Sequence, residues 1–421
     1  IQCENCHGPQ EAGFGTDNEA HGGSFQTIGE PRTDLSSDVC AVCHGEPLRH
    51  ARFQQWQLSG HANYELAVDE GESGSCSRCH TANGFLQWLP ILLGEEPGDP
   101  TASVTVDWEP SDTHPQTCAT CHDPHAIGTT TGINTNATVR ISGDTPELIA
   151  GFKAVAVGRG AICMTCHNSR RGLRSDANFA DIAGTSEAAR APHGSSQTDV
   201  LLGENAYFVN VGVRGAHGLI ADTCVTCHME ATPPPAVLAY NLGGTNHTFA
   251  ASPEICDTCH EEITAEVIQG LTGAILDDVV DLLQDKYTEV LQAQLAAGYT
   301  IDMNGAMTIT AANNIAGIEF GEYRGRQALT VVFANGTSVG PQRIPDIDVI
   351  RPAPLGTVGL NAVAGDDLLK AGWNWNLINN DGSKGVHNPR FALQVLDGAR
   401  DAAGGLGGAR GVDQLNALGL R

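Results

Sequence analysis

The 421-residue sequence is poor in aromatic residues, poor in charge, and poorest in basic charge. Phe, Trp and Tyr make up 5% of it, and charged residues 17% against about 25% in an average globular chain. Lys and Arg number 23 against 49 Asp and Glu, a formal charge of −26. Gripping a phosphate backbone needs a basic face, so nucleic acid is excluded as a partner. Long apolar runs are missing too. The longest, around Leu89 to Leu93, falls far short of the roughly 20 residues that cross a bilayer, so no transmembrane segment is expected. No signal peptide is visible, and a leader, if there was one, has been removed. The length itself fits two or three domains.

What the chain has instead is cysteine. All 14 fall into C-x-x-C pairs, and each pair is followed at once by His: Cys3/Cys6/His7, Cys40/Cys43/His44, Cys76/Cys79/His80, Cys118/Cys121/His122, Cys163/Cys166/His167, Cys224/Cys227/His228 and Cys256/Cys259/His260. This is the c-type haem attachment pattern. Two thiols add across the two vinyl groups of one haem, and the adjacent His is held beneath the iron as its proximal ligand. A zinc ribbon completes its site with four thiolates and requires no trailing His. A disulfide framework would not repeat one spacing seven times. With 16 His in the chain, seven chance placements of this kind have a probability on the order of one in several billion. The expected cofactors are therefore seven covalently attached c-type haems. Haem is attached outside the cytoplasmic membrane, so the chain is expected to be exported, to an extracellular or cell-surface location or, alternatively, to the periplasm. Haem propionates add further negative charge, which favours solubility and disfavours anionic partners.

Every motif lies within residues 1–260, at intervals of 37, 36, 42, 45, 61 and 32 residues. One haem per roughly 37 residues leaves little chain for a conventional core. The expected fold class is mostly irregular and α, with haems forming the core of this heptahaem domain. Its Gly, Pro, Thr, Asp and Asn content predicts loops and short helices, each helix tending to carry a motif, with Pro233–Pro235 as a rigid connector. In residues 261–299, Ile263, Val267, Leu271 and Ile275, then Leu283, Tyr287, Leu291 and Leu295, form an apolar stripe, with Asp277, Asp278, Asp281, Asp285 and Glu289 off it. The spacing predicts one amphipathic helix, or two with a break at Gly270–Gly273. Residues 300–360 read as a small β insertion, with a hairpin over Ala328–Val339 turning at Asn335-Gly336. Residues 361–421 hold helices over Asp366–Asn379 and Asn388–Ala402, with His387 at their junction, and a Gly-rich tail from Ala403 that is expected to be mobile by itself.

Nine His lie outside the motifs, against seven irons that each need a second ligand to be six-coordinate. Only four Met are present, and Met164 and Met229 sit inside or beside motifs, where they point poorly for ligation. Bis-His ligation throughout is therefore expected, and with it low reduction potentials. The candidate distal ligands are His21, His61, His125, His193, His217, His247 and His387. His125 is too close to its own motif to serve that iron and should reach a neighbouring one. His50 and His114 rank lowest, as propionate contacts or surface residues. Arg170, Arg171 and Arg174, directly after the fifth motif, read equally as propionate partners or as a solvated basic turn.

The segments Ser59-Gly-His61-Ala, Cys121-His-Asp-Pro-His125, Cys227-His-Met229 and Asp381-Gly-Ser-Lys-Gly-Val-His387-Asn-Pro-Arg resemble bacterial multihaem cytochromes c. They are most similar to the group of octahaem hydroxylamine-oxidoreductase-like and pentahaem nitrite-reductase-like proteins, with extracellular multihaem cytochromes beside them. The resemblance covers the haem region and the C-terminal helices, not residues 300–360. It implies that the Gly-Val-His-Asn-Pro segment supplies a distal ligand, His387. The chain departs from these enzymes in having no Cys-x-x-Cys-Lys, and none of its six Tyr is in a recognisable setting for a haem cross-link.

Electron transfer without catalysis is accordingly the favoured function, between redox donor and acceptor proteins or to an extracellular acceptor. The alternative is an oxidoreductase of small nitrogen or sulfur compounds with one open iron. Because Cys3 follows only two residues, an upstream segment that was processed or is missing is one reading. Head-to-tail contacts forming a homopolymer, a continuous haem wire, are another expectation, drawn from that early motif and the Gly-rich tail.

Overall fold

The computed structural model describes residues 35–45, 51–126, 139–230, 245–260, 265–405 and 409–419. Cys3, Cys6, His7, His21, His50, Pro233–Pro235 and Ile263 lie outside them. Contacts divide the chain into two units that do not follow chain order: residues 1–143 with 224–255, and residues 144–223 with 256–421.

The first unit is built of short helices on irregular chain. Several begin at side-chain caps: Asn63 accepts the Leu66 N–H (3.0 Å) to start Tyr64–Gly71, and Thr81 accepts the Gly84 N–H (2.9 Å) to start Ala82–Leu92. The latter helix buries Phe85, Trp88, Leu89 and Leu92. It packs against the third motif so closely that a Cβ at Gly84 would lie 2.5 Å from the Ser77 carbonyl. Trp88 Nε1 and Arg78 Nη1 both donate to the Pro100 carbonyl at 2.9 Å, tying the following loop down.

The second unit holds the large apolar cluster, to which the first contributes no described residue. Its spine is one 32-residue helix, Ala265–Ala296, which runs through Gly270 and Gly273 without a break. The five expected acidic residues are exposed along it, and Ile275, Leu283, Tyr287, Leu291 and Leu295 are buried. Val267, expected on the apolar face, is 41% exposed, and Ile268 and Thr272 are buried instead. A strict four-residue spacing winds about 40° per step around a 3.6-residue helix, so the stripe leaves the packed face at its first turn. No helix among the described residues is long and apolar enough to cross a membrane.

Residues 300–359 form two antiparallel sheets. One has the order β2-β1-β6-β7, with β1 Thr300–Asp302, β2 Thr308–Ile309, β6 Asp348–Ile350 and β7 Thr357–Gly359. The other has the order β3-β4-β5, with β3 Ile315–Tyr323, β4 Arg326–Phe333 and β5 Ser338–Arg343. The expected hairpin is β4–β5, with Gly336 at φ +83° in its turn. Along β4, Leu329, Val331 and Phe333 face the core, and Thr330 and Val332 alternate with them.

Helices Asp366–Asp381 and Pro389–Ala402 complete the core, the second capped by Asn388, which accepts the Phe391 N–H (3.3 Å). Buried Gln327 donates to Arg190 O (3.1 Å) and Leu369 O (2.8 Å), and a Cβ at Gly372 would fall 2.1 Å from its Oε1. Asn374 takes the Tyr207 N–H (2.9 Å) and returns a bond to its carbonyl (2.7 Å), while Trp373 Nε1 donates to Asn205 O (2.7 Å). These bonds fix the segment that follows the fifth motif. The Gly-rich tail folds on its own unit: helix Gly411–Ala417 buries Leu415, and the Gly411 N–H donates to Asp397 (2.8 Å). That packing removes the tail as an argument for assembly between subunits.

Candidate haem-attachment sites

Each of the six described motifs meets a helical turn: Asp38–His44, Gly74–His80, Cys118–Cys121, Ala161–Met164, Cys224–His228 and Pro253–Thr258. The helical period explains why C-x-x-C-H suits attachment. Positions i, i+3 and i+4 share one helix face, so both thiols and the imidazole present together. The turn is closed by the N–H of His122 to Cys118 O (2.9 Å), of His167 to Cys163 O (2.9 Å) and of His260 to Cys256 O (2.8 Å).

Three of these turns stop short of the whole motif, that of the fourth at Cys121, before His122. The helix of the fifth stops at Met164, before Cys166, and that of the seventh is a 3₁₀ turn that stops at Thr258, before Cys259. There the Cys166 N–H bonds Cys163 O (3.2 Å) and the Cys259 N–H bonds Cys256 O (3.1 Å), three residues back. That tighter closure still stacks the two thiols of each motif on one side, because residues i and i+3 eclipse in a 3₁₀ turn.

None of the twelve described cysteines is in a disulfide, and none is fully enclosed by polypeptide. Cys43 and Cys259 are exposed, while Cys40, Cys76, Cys79, Cys118, Cys121, Cys163, Cys166, Cys224, Cys227 and Cys256 are half-buried. The chain therefore does not wrap these thiols in a core of its own. Each described thiol keeps at least part of its surface accessible. Neighbouring groups hold the turns: Gln116 Nε2 donates to the Cys79 carbonyl (2.7 Å), and Thr258 Oγ1 donates to Cys259 Sγ (3.7 Å). Hydrogen bonding from Cys40, then from Ser37, holds the Cys118 thiol down at about 7, and burial, then the Cys118 charge, push Cys121 up to about 11. The second and fourth motifs are thus neighbours.

The imidazoles carry a second pattern. Nδ1 of His217 donates to Val386 O (2.8 Å), of His228 to Phe249 O (3.0 Å) and of His247 to Thr245 O (3.0 Å). A carbonyl can only accept, so Nδ1 carries the proton in each and Nε2 keeps its lone pair. His387 gives Nδ1 to a carboxylate, Asp381 Oδ1, at 2.5 Å. His167 Nδ1 meets Gln197 Oε1 at 3.3 Å. A metal-ligating His characteristically anchors its other ring nitrogen in this way.

Two pairs of imidazole rings lie close together, one tilted and one edge-on. His122 and His247 have centroids 6.4 Å apart with planes inclined 37°, and His217 and His260 are 6.0 Å apart at 79°. Two imidazoles bound to one metal from opposite sides, each nitrogen at about 2 Å, put their centroids roughly 6 Å apart. Burial above all pushes His247 down to about 4 and also lowers His122, so both rings are neutral, as ligation requires. The buried Nδ1 of His122 has no hydrogen-bond partner among the described residues. In the second unit, His217, Cys256, His260 and His387 line one cavity of about 300 Å³. Thiols, paired neutral rings and a cavity at the seventh motif all fit haem.

The remaining candidates are placed as follows. His61 lies in the turn Gly60–Ala62 with its ring edge-on to Phe249 (4.6 Å). His125 is exposed, and His44 is the exposed end of its helix. His80 is half-buried at the end of Gly74–His80. His193 bonds Ser195 Oγ through Nδ1 (2.9 Å), with Nε2 3.3 Å from Arg170 Nη1. The His114 N–H donates to Asn83 (2.8 Å). Arg174 is buried, pairing with Glu187 (3.7 Å) and lying 5.1 Å over the Trp373 ring. Arg171 is pushed down to about 10 by burial, then by Arg190, Arg170 and Arg326, and its buried Nε has no partner among the described residues. The sequence did not point to Asp381 and Gln197 as the partners of His387 and His167. Asp381 stood inside a quoted segment, and only its approach to His387 reveals its use.

No family model matches the chain. It is 27% identical over 146 residues to Multiheme cytochrome MtrA of Shewanella baltica, covering 32% of this chain and 38% of that one. It is 24% identical over 263 residues to C-type polyheme cytochrome OmcB of Geobacter sulfurreducens, covering 54% of this chain and 33% of that one. The chain thus spans little more than a third of the curated relatives it matches. Among solved structures, the undecaheme cytochrome from the S-layer of Carboxydothermus ferrireducens shares the fold over 96% of this chain and 50% of that one, with TM-score 0.50 and 18% identity. Outer cell wall cytochrome OcwA aligns over 96% of this chain and 70% of that one, with TM-score 0.49 and 16% identity. One motif repeated seven times and curated relatives that are themselves multihaem cytochromes converge: the chain is a multihaem c-type cytochrome.

Proposed function

We propose that the chain conducts electrons through seven bis-His c-type haems, outside the cytoplasmic membrane, at the cell surface or in the periplasm. The observation that carries this is two close pairs of imidazoles, His122 with His247 and His217 with His260, whose centroid separations of 6.4 and 6.0 Å suit one iron between each. Each haem supplies, when bound, a one-electron iron couple. The chain's own residues would hold one ring of each pair in place. Val386, Thr245 and Phe249 carbonyls orient His217, His247 and His228, and burial keeps His247 neutral. Ligands that do not move keep reorganisation small, which favours transfer over catalysis. Cys3/Cys6 and His7, with His21, complete the seven sites in this reading, and His61, His125, His193 and His387 supply the other second ligands. The first unit contributes no described residue to the large apolar cluster, which supports haems as its core. The surplus of acidic residues suits a basic docking patch on a redox partner protein. A head-to-tail filament now rests on the first motif alone, outside the described residues, and is no part of this proposal.

The test is haem stoichiometry together with carbon monoxide binding to the reduced protein. Seven haems per chain and no carbon monoxide bound are expected. One equivalent bound per chain, with a high-spin signal at rest, would replace conduction by an open-site oxidoreductase of small nitrogen or sulfur compounds.

A further inference from the structure

Helix Asp366–Asp381 ends on a carboxylate that is fully buried, with 0% of its side chain exposed. Both oxygens are committed within the next six residues. Oδ1 accepts Nδ1–H of His387 at 2.5 Å, and Oδ2 accepts the Ser383 hydroxyl, whose oxygen in turn takes the His387 main-chain N–H at 3.2 Å. The turn is pressed on the long helix: a Cβ at Gly385, where φ is +87°, would fall 2.5 Å from Thr272 Oγ1. From the other side, Gln197 Nε2 donates to the Asp381 carbonyl (3.0 Å) while its Oε1 meets His167 Nδ1. His387 is therefore clamped at its Nδ1 edge, and it lines the cavity shared with His217, Cys256 and His260.

The chemistry of this clamp differs from that of four other rings. His217, His228 and His247 give Nδ1 to neutral carbonyls, and His167 meets a neutral amide. A carboxylate partner draws the Nδ1 proton more strongly and makes Nε2 a better donor to metal. Stronger donation favours ferric over ferrous iron. We propose that Asp381 is a positioning residue that makes the iron ligated by His387 more reducing than those ligated through carbonyl-bonded rings, so that one step of the conduction path is set by a buried charge. This rests on the reading of His387 as an axial ligand.

The experiment compares four variants of the full haem-loaded protein by potentiometric titration and by the near-infrared charge-transfer band of low-spin ferric haem, which reports ligand donor strength. Asp381→Asn should move one midpoint upward and shift one charge-transfer band, with haem content and low-spin state retained. Asp381→Glu should restore both toward the parent. Ser383→Ala removes the competing donor to Oδ2 and leaves the charge, so the same midpoint should move downward. His387→Ala should open one iron to carbon monoxide. If His387→Ala opens one iron while neither Asp381→Asn nor Ser383→Ala moves a midpoint, the proposal falls and the ligand reading stands. If His387→Ala opens none, the ligand reading of His387 falls and takes the proposal with it.

Discussion

Replacing His247 by Ala tests the pairing of rings most directly. The ring stands 6.4 Å from His122, a separation that would let the two imidazoles hold one iron between them. Its other contacts are modest: Nδ1 to Thr245 O at 3.0 Å and an edge contact to Phe249 at 6.0 Å. Losing them costs about 1–2 kcal/mol, small against the roughly 5–15 kcal/mol that holds a domain together, so His247→Ala should fold and take up haem. With seven motifs, one iron in seven should turn high-spin. Carbon monoxide bound to the reduced protein should rise from none to one per chain, read by Soret difference spectra against haem content. His247→Met should keep that iron six-coordinate and raise its potential, because thioether sulfur favours ferrous iron. His114→Ala is the control and should leave carbon monoxide binding unchanged. If His247→Ala binds none, the two rings are a packing contact and not an axial pair.

Three further outcomes are expected. Asp222 takes the Arg159 N–H (2.7 Å) and both Nε (3.0 Å) and Nη2 (2.7 Å) of its side chain, so Asp222→Ala should lower stability by about 2 kcal/mol in urea titration, and an unchanged midpoint would refute the bridge as a structural tie. The buried Tyr287 hydroxyl has no partner among the described residues, so Tyr287→Phe should stabilise by about 1 kcal/mol, a loss counting against that burial. Burial raises Asp199 from 3.8 to about 6 against hydrogen bonds from Asn205 and Ser169. The folded chain therefore holds this proton more tightly than the unfolded one. Its contribution is fully present below about 4 and is lost as pH rises through 6, a slope worth about 2–3 kcal/mol that Asp199→Asn should remove from paired urea titrations at pH 4.5 and 7.

The attachment motifs were legible because covalent chemistry fixes their spacing, and helical period alone then places two thiols and a ring on one face. Where each helix stops was less legible: Cys166 and Cys259 fall just past the ends of theirs, in turns that close three residues back. The Asn335-Gly336 turn and the helix capped by Asn388 were legible because their signals are local. Pairings set by long-range packing were not. His217 and His260 are 43 residues apart, and nothing near either names the other. Asn205 and Asn374, which knit the second unit together through main-chain bonds, read in sequence as ordinary polar residues. β1 pairs with β6 across an intervening three-stranded sheet, a register no neighbouring turn dictates. The haem region and the C-terminal helices read in sequence as separate domains, yet the fifth and seventh motifs share a unit with those apolar helices.

The discontinuous path of the first unit constrains how the protein is made. Residues 224–255 belong with residues 1–143, yet they are synthesised only after the whole of 144–223. The first unit therefore cannot close before the returning segment arrives. His247 lies in that segment, 125 residues beyond the His122 ring it lies close to. The order of the chain thus becomes an order of assembly, in which the fourth motif is present long before the ring that comes to lie beside it.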